Sequence, residues 1–122
     1  MLQCWYNVMV NTRKGHTFVK FYAPWCGHCQ EMAPEWDDLG ESFQGKALPG
    51  VDLTLGEVNC VEEALLCLKE GVDSYPTIKL YHSDGSVEDY LNARTFSRMK
   101  RYLAEKLIGL INISFLFLHF LF

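Results

Sequence analysis

An α/β fold, a mixed sheet with helices on both faces, is the class this sequence predicts. Three observations carry it. Apolar runs that suit strands alternate with stretches of helical spacing, in the order strand, helix, strand, helix, hairpin, helix. A Cys-x-x-Cys pair stands between the first strand and the first helix. Ser83-Asp84-Gly85 makes a turn between the last two strands, which are therefore antiparallel, while strands joined through helices need right-handed crossovers.

Residues 16 to 22 are mostly apolar without clean alternation, as in a central strand buried on both faces. Residues 26 to about 43 carry Met32, Leu39 and Phe43 at helical spacing with acids opposite, and Pro34 is expected to kink this helix rather than end it. A loop over 45 to 50 holds Pro49, and Val51 to Val58 reads as a second strand. Cys60 to Lys69 reads as a short helix stopped by Gly71. Thr77 to Tyr81 and Val87 to Tyr90 form the hairpin strands. Thr95 to about Leu107 is an amphipathic helix with Phe96, Met99, Tyr102 and Leu103 on one face.

The chain has 122 residues, which suits one domain. Its content is 49% hydrophobic and 14% aromatic, enough for a packed core. A net charge of −4 provides no basic patch, and no nucleic-acid motif is present. The first ten residues have no basic start and no small-residue cleavage site, so no secretory signal is read there.

Cys26 and Cys29 carry the chemistry. With two residues between them, Cys26 stands at a helix start and Cys29 one turn on, so the sulfurs come within disulfide range. Unsatisfied N–H groups at a helix start favour a thiolate on Cys26, and a protonated His28 adds a second favourable charge. The alternatives for such a pair are half of a zinc site or two buried cysteines. With Cys60 and Cys67 counted in, a four-cysteine zinc module is a competing class; a chain-binding domain without turnover is a third.

Phe21-Tyr22-Ala23-Pro24-Trp25-Cys26-Gly27-His28-Cys29 resembles the active-site segment of the protein disulfide isomerase branch of the thioredoxin superfamily. Met32-Ala33-Pro34, Tyr75-Pro76-Thr77 and the stretch from Tyr90 to Arg94 resemble further marks of that branch, in the same order, over about residues 16 to 107. The resemblance implies a thioredoxin-like fold whose N-terminal strand and helix the first fifteen residues could supply only in part. Residues 1–15 would then be a degenerate or truncated N-terminal segment, 16–107 the domain and 108–122 an apolar tail.

It also implies thiol–disulfide exchange on proteins through Cys26, Gly27, His28 and Cys29, with no cofactor and no metal. Cys26 would be the nucleophile and Cys29 the resolving thiol. His28 would make the disulfide a stronger oxidant than a proline there would. Trp25 and Tyr75 would contact substrate, beside a cis Pro76. Arg94 and Lys20 would modulate Cys29. Lys20 stands where much of the family has a buried carboxylate that accepts the Cys29 proton, which a protonated lysine cannot do. It is either a neutral buried base or a side chain that snorkels to solvent, and snorkelling is the expectation. Cys60 and Cys67 resemble a pair that forms a structural disulfide in the endoplasmic-reticulum subgroup. On one regular helix they would stand about 10 Å apart, so a bond requires Cys60 to precede the helix; two free buried thiols are the alternative. Cys4 has no assigned role.

The implied partners are unfolded or partly folded proteins with thiols, and a redox partner that reoxidises the dithiol. The implied place is the endoplasmic reticulum lumen, although no retrieval tetrapeptide ends the chain. Residues 107 to 122 hold no Lys, Arg, Asp or Glu. As a helix they would span about 24 Å, less than the roughly 30 Å hydrocarbon core, so membrane contact or anchoring through this stretch is a further expectation.

Overall fold

The computed structural model describes residues 15–44 and 51–108. The expectations for residues 1–14, Cys4, the loop with Pro49 and the apolar tail from 109 onward lie outside the described residues. The elements run β1 (His16–Tyr22), α1 (Gly27–Gln44), β2 (Leu53–Asn59), α2 (Ala64–Lys69), β3 (Thr77–Tyr81), β4 (Val87–Asp89) and α3 (Phe96–Leu107). The sheet order is β2-β1-β3-β4. β1 pairs with β2 in parallel and with β3 antiparallel, and β3 with β4 antiparallel. This is the expected mixed sheet with helices.

By its contacts the chain divides into two units, Met1–Ala33 with Asp52–Leu91 and Pro34–Val51 with Asn92–Phe122. The first holds the sheet. Phe18, Val19 and Phe21 of β1 are fully buried, and removing each from water contributes about 1.5–3 kcal/mol. That burial on both faces makes β1 the centre of the sheet. Val19 and Phe21 pack on one face with Val58, Leu66, Cys67 and Tyr81. On the other, the Phe18 ring meets Tyr90 edge-on at 5.8 Å. Strand β1 can start only because of Gly15. A Cβ there would stand 2.6 Å from the Asp52 carbonyl oxygen, which accepts the His16 amide at 2.8 Å.

Helix α2 ends as its sequence dictates. Gly71 has φ +74°, the Val72 amide donates to the Cys67 carbonyl and the Gly71 amide to that of Leu68. These paired bonds use carbonyls that a helix end leaves open, and the left-handed turn favours glycine. The start of α2 differs from expectation. It begins at Ala64, not Cys60, because the chain first turns through Asn59. The Asn59 side chain takes the Val61 amide at 3.0 Å and its carbonyl takes the Glu63 amide at 2.8 Å.

In the second unit, α1 continues past Pro34 to Gln44, with Trp36 and Leu39 buried. The expected face of α3 is buried at Met99, Tyr102, Leu103 and Leu107, while Phe96 is half-buried. Thr95 caps α3, its hydroxyl accepting the Arg98 amide at 3.3 Å. Among the described residues no helix is long and apolar enough to cross a membrane.

Candidate functional site

Strand β1 delivers the chain at Tyr22, and Ala23-Pro24-Trp25 turns it into α1. Cys26 immediately precedes the helix. Its sulfur accepts the Cys29 amide at 3.3 Å, the position an N-cap side chain takes toward the third helical residue. On its other side the Cys26 thiol donates to the Tyr75 carbonyl at 3.5 Å. One sulfur thus lies between a helix-start donor and a loop acceptor. The Tyr75–Pro76 bond is cis, as expected.

Cys26 and Cys29 are thiols rather than a disulfide, 8% and 5% exposed. They form a small cluster with Ala23, against which Tyr22 and Tyr75 pack. Burial, then a hydrogen bond with Cys26, pushes the Cys29 thiol up to about 11; the Ala23 backbone and the charge of Lys20 pull the other way. Expected roles therefore separate by environment. Cys26 has a helix-start amide directed at its sulfur, while Cys29 holds its proton tightly.

Trp25 is 70% exposed and meets the Tyr75 ring edge-on at 5.8 Å. Together they make an apolar lip beside Cys26. His28 is exposed and its Nδ1 lies 3.4 Å from a Glu31 carboxylate oxygen. Gly27 opens α1, with nothing within 4 Å of where a Cβ would stand. Arg94 is exposed on the segment leading into α3.

Lys20 departs from the expectation that it snorkels. Its side chain is 5% exposed, its ammonium lies 3.0 Å from a Glu57 carboxylate oxygen and 5.2 Å from the Tyr22 ring centroid. Parallel pairing is the reason, because it sets Glu57 directly beside Lys20 in register. Glu57 is the site residue that sequence reasoning missed. A signal was present: each strand carries its one acid or lysine at the fifth of seven positions, in HTFVKFY and LTLGEVN.

Cys60 and Cys67 are bonded to each other, with Cα atoms 5.7 Å apart. The bond forms because Cys60 precedes α2, held there by its amide donating to the Tyr22 carbonyl at 2.8 Å. It also removes both sulfurs from the four-cysteine zinc alternative. Among the described residues no group of three or more His, Cys, Asp or Glu side chains is placed to hold a metal ion. Tyr75 packs against the cluster around this disulfide as well as against the dithiol cluster.

A protein-family model described as Thioredoxin matches residues 3–105. Similar proteins include a thioredoxin domain-containing protein 5 homolog of Drosophila melanogaster. It is 36% identical over 95 residues, which cover 78% of this chain and 22% of that protein. A protein disulfide-isomerase of Arthroderma benhamiae is 34% identical over 102 residues, 82% of this chain and 18% of the relative. The chain thus spans about a fifth of the length of these two relatives. Among solved structures, the first two thioredoxin domains of Naumovozyma dairenensis Eps1p are similar, with TM-score 0.72 and 33% identity, over 82% of this chain and 38% of that one.

Proposed function

The chain belongs to the thioredoxin family, and from that premise we propose that it is a thiol–disulfide oxidoreductase and isomerase. It works on cysteines of other proteins through Cys26-Gly27-His28-Cys29. The observation that carries this reading is the Cys26 sulfur seated at a helix start, with the Cys29 amide directed at it. That donor stabilises a thiolate more than a thiol.

In the oxidising direction the Cys26–Cys29 disulfide is attacked by a substrate thiolate. A bond forms between the substrate sulfur and Cys26, the Cys26–Cys29 bond breaks, and Cys29 leaves and takes a proton. A second substrate thiolate then displaces Cys26, which leaves as a helix-stabilised thiolate. Isomerisation starts instead from reduced Cys26 attacking a substrate disulfide. Another thiolate of the same substrate then displaces Cys26 and forms the rearranged disulfide, while displacement by Cys29 is the escape that leaves the substrate reduced and the dithiol oxidised. The lip of Trp25 and Tyr75 supplies apolar contact for an unfolded chain, and the backbone beside cis Pro76 supplies an edge for an extended one. A protonated His28 strengthens the oxidant, and Arg94 is assigned to Cys29 by its place in the matched segment. No cofactor enters this exchange.

The substrates are unfolded or partly folded proteins with thiols, a separate redox partner reoxidises the dithiol, and the compartment is the endoplasmic reticulum lumen. The names of the relatives and the oxidised Cys60–Cys67 pair support this. The apolar composition of residues 107 to 122 supports contact with a membrane surface, which vesicle flotation of the full chain and of a chain ending at 110 would test.

Disulfide exchange with insulin and with a scrambled disulfide protein tests the main reading. Cys26→Ser abolishes turnover. Cys29→Ser accumulates mixed disulfides visible without reductant. Full turnover by Cys26→Ser overturns the proposal.

A further inference from the structure

Cys29 has a chemical problem that the dithiol alone does not solve. To release a substrate from Cys26 it must attack as a thiolate, yet its burial opposes any charge. A buried acid beneath it would take the proton. This chain has no acid at the matched position of β1; it has Lys20, 5% exposed, with its ammonium against Glu57.

We infer that Lys20 activates Cys29 electrostatically, as a buried ammonium held by Glu57 that stabilises the resolving thiolate, and that Glu57 is its positioning residue. The inference rests on the exchange reading above and names how its second step is driven. The geometry runs through Tyr22. Lys20 Nζ stands 5.2 Å from the Tyr22 ring centroid, and Tyr22 packs on the cluster of Ala23, Cys26 and Cys29. The charge of Lys20 pulls the Cys29 thiol down against its burial. The other ionisable groups here are Cys26 on the dithiol turn, Tyr22 on β1, Glu57 on β2 and Glu62 after it; burial first, then both acids, pushes the Tyr22 phenol up. Glu57 holds the ammonium in place, and its own side chain is 45% exposed, so water screens its negative charge from the sulfur.

The step balances without a buried base. The Cys29 proton passes to water. The thiolate attacks the Cys26 sulfur of the mixed disulfide, the Cys26–Cys29 bond forms, the bond to substrate breaks, and the substrate sulfur leaves as a thiolate that takes up a proton.

Two readouts test this. In a Cys26→Ser background, the pH profile of Cys29 alkylation reports its thiolate directly and needs no turnover. With Cys26 loaded as a mixed disulfide with thionitrobenzoate, release of the chromophore reports attack by Cys29. Lys20→Met moves the alkylation profile to higher pH, with the thiolate at neutral pH falling about tenfold for each unit moved, and release slows several-fold. Lys20→Arg restores both. Should Lys20→Met fail to fold, the double variant Lys20→Met with Glu57→Leu removes both charges and carries the same expectation. An unmoved profile and unchanged release in a folded variant overturn the inference. If the profile moves while Cys26-dependent exchange on proteins is absent, the exchange reading fails and the role of Lys20 toward Cys29 stands.

Discussion

The Glu35 carboxylate accepts a 2.6 Å hydrogen bond from the amide of Phe96, sixty-one residues further along the chain. Phe96 is the first residue of α3, so a half-buried negative charge from α1 meets the positive end of another helix. Thr95 satisfies a second amide of the same turn. The two together satisfy donors that a helix start otherwise leaves open.

Glu35→Ala is expected to cost about 1–2 kcal/mol of stability, and Glu35→Gln roughly half of that, because the amide oxygen still accepts but the charge is lost. Urea unfolding of the two variants beside the parent measures this. Equal losses would show that charge contributes nothing at this contact.

Removal of the Cys60–Cys67 bond acts mainly on the unfolded chain. The bond closes a loop over a separation of seven residues, for which loop entropy gives about 2.5 kcal/mol. The Cys60→Ala, Cys67→Ala double variant should lose at least that much, since both side chains are buried. Its dithiol should also exchange less efficiently, because Tyr75 packs on both clusters. Denaturant midpoints and exchange rates check the two halves separately.

His16 makes the fold sensitive to mild acid. Its Nδ1 accepts the Ser83 amide at 3.3 Å, a role a doubly protonated ring cannot fill. Burial, then the charge of His82, lowers its pKa, against the opposing effects of Asp84 and Asp52. The unfolded chain therefore binds the proton more readily than the folded one. Stability is full above the ordinary imidazole value of about 6.5 and is lost as pH falls through the lower folded value. His16→Asn should flatten the fall of the denaturant midpoint below about pH 6.5 relative to the parent.

His28→Pro should lower the reduction potential of the dithiol by on the order of tens of millivolts, making a weaker oxidant. The variant loses an imidazole that favours the thiolate when protonated, while the Cys29 amide that bonds Cys26 remains. Redox titration against glutathione measures the shift, and a rise in potential would count against the role of His28.

Local patterns made much of this molecule legible in its sequence. The bounds of β1 and β3, the stop of α2 at Gly71 and the dithiol turn follow from side chains adjacent in the chain, while the cis bond at Pro76 is implied by the family resemblance. What escaped depends on pairing between distant segments. Cys60 reads as helix because Glu62, Glu63 and Ala64 are helix formers, and what holds it outside the helix is its amide pairing with the Tyr22 carbonyl at the end of β1. Lys20 reads as a snorkelling lysine until β2 is laid parallel beside β1 and Glu57 arrives opposite. The contact of Glu35 with Phe96 has no periodic signature at all.

One margin of the sheet has a consequence for the crowd in which such a domain works. Strand β4 is only three residues long and lies at the end of the sheet order. Two of its three side chains are acids, Glu88 bonded to His82 and Asp89 to Lys79 at 2.8 Å. Unfolded proteins seek any bare row of backbone donors and acceptors, and a long neutral margin would nucleate fibrous stacking with them. A short, acid-bearing margin offers them little to grip, so under the proposed function an unfolded substrate would find no docking row on that flank to compete with the thiols.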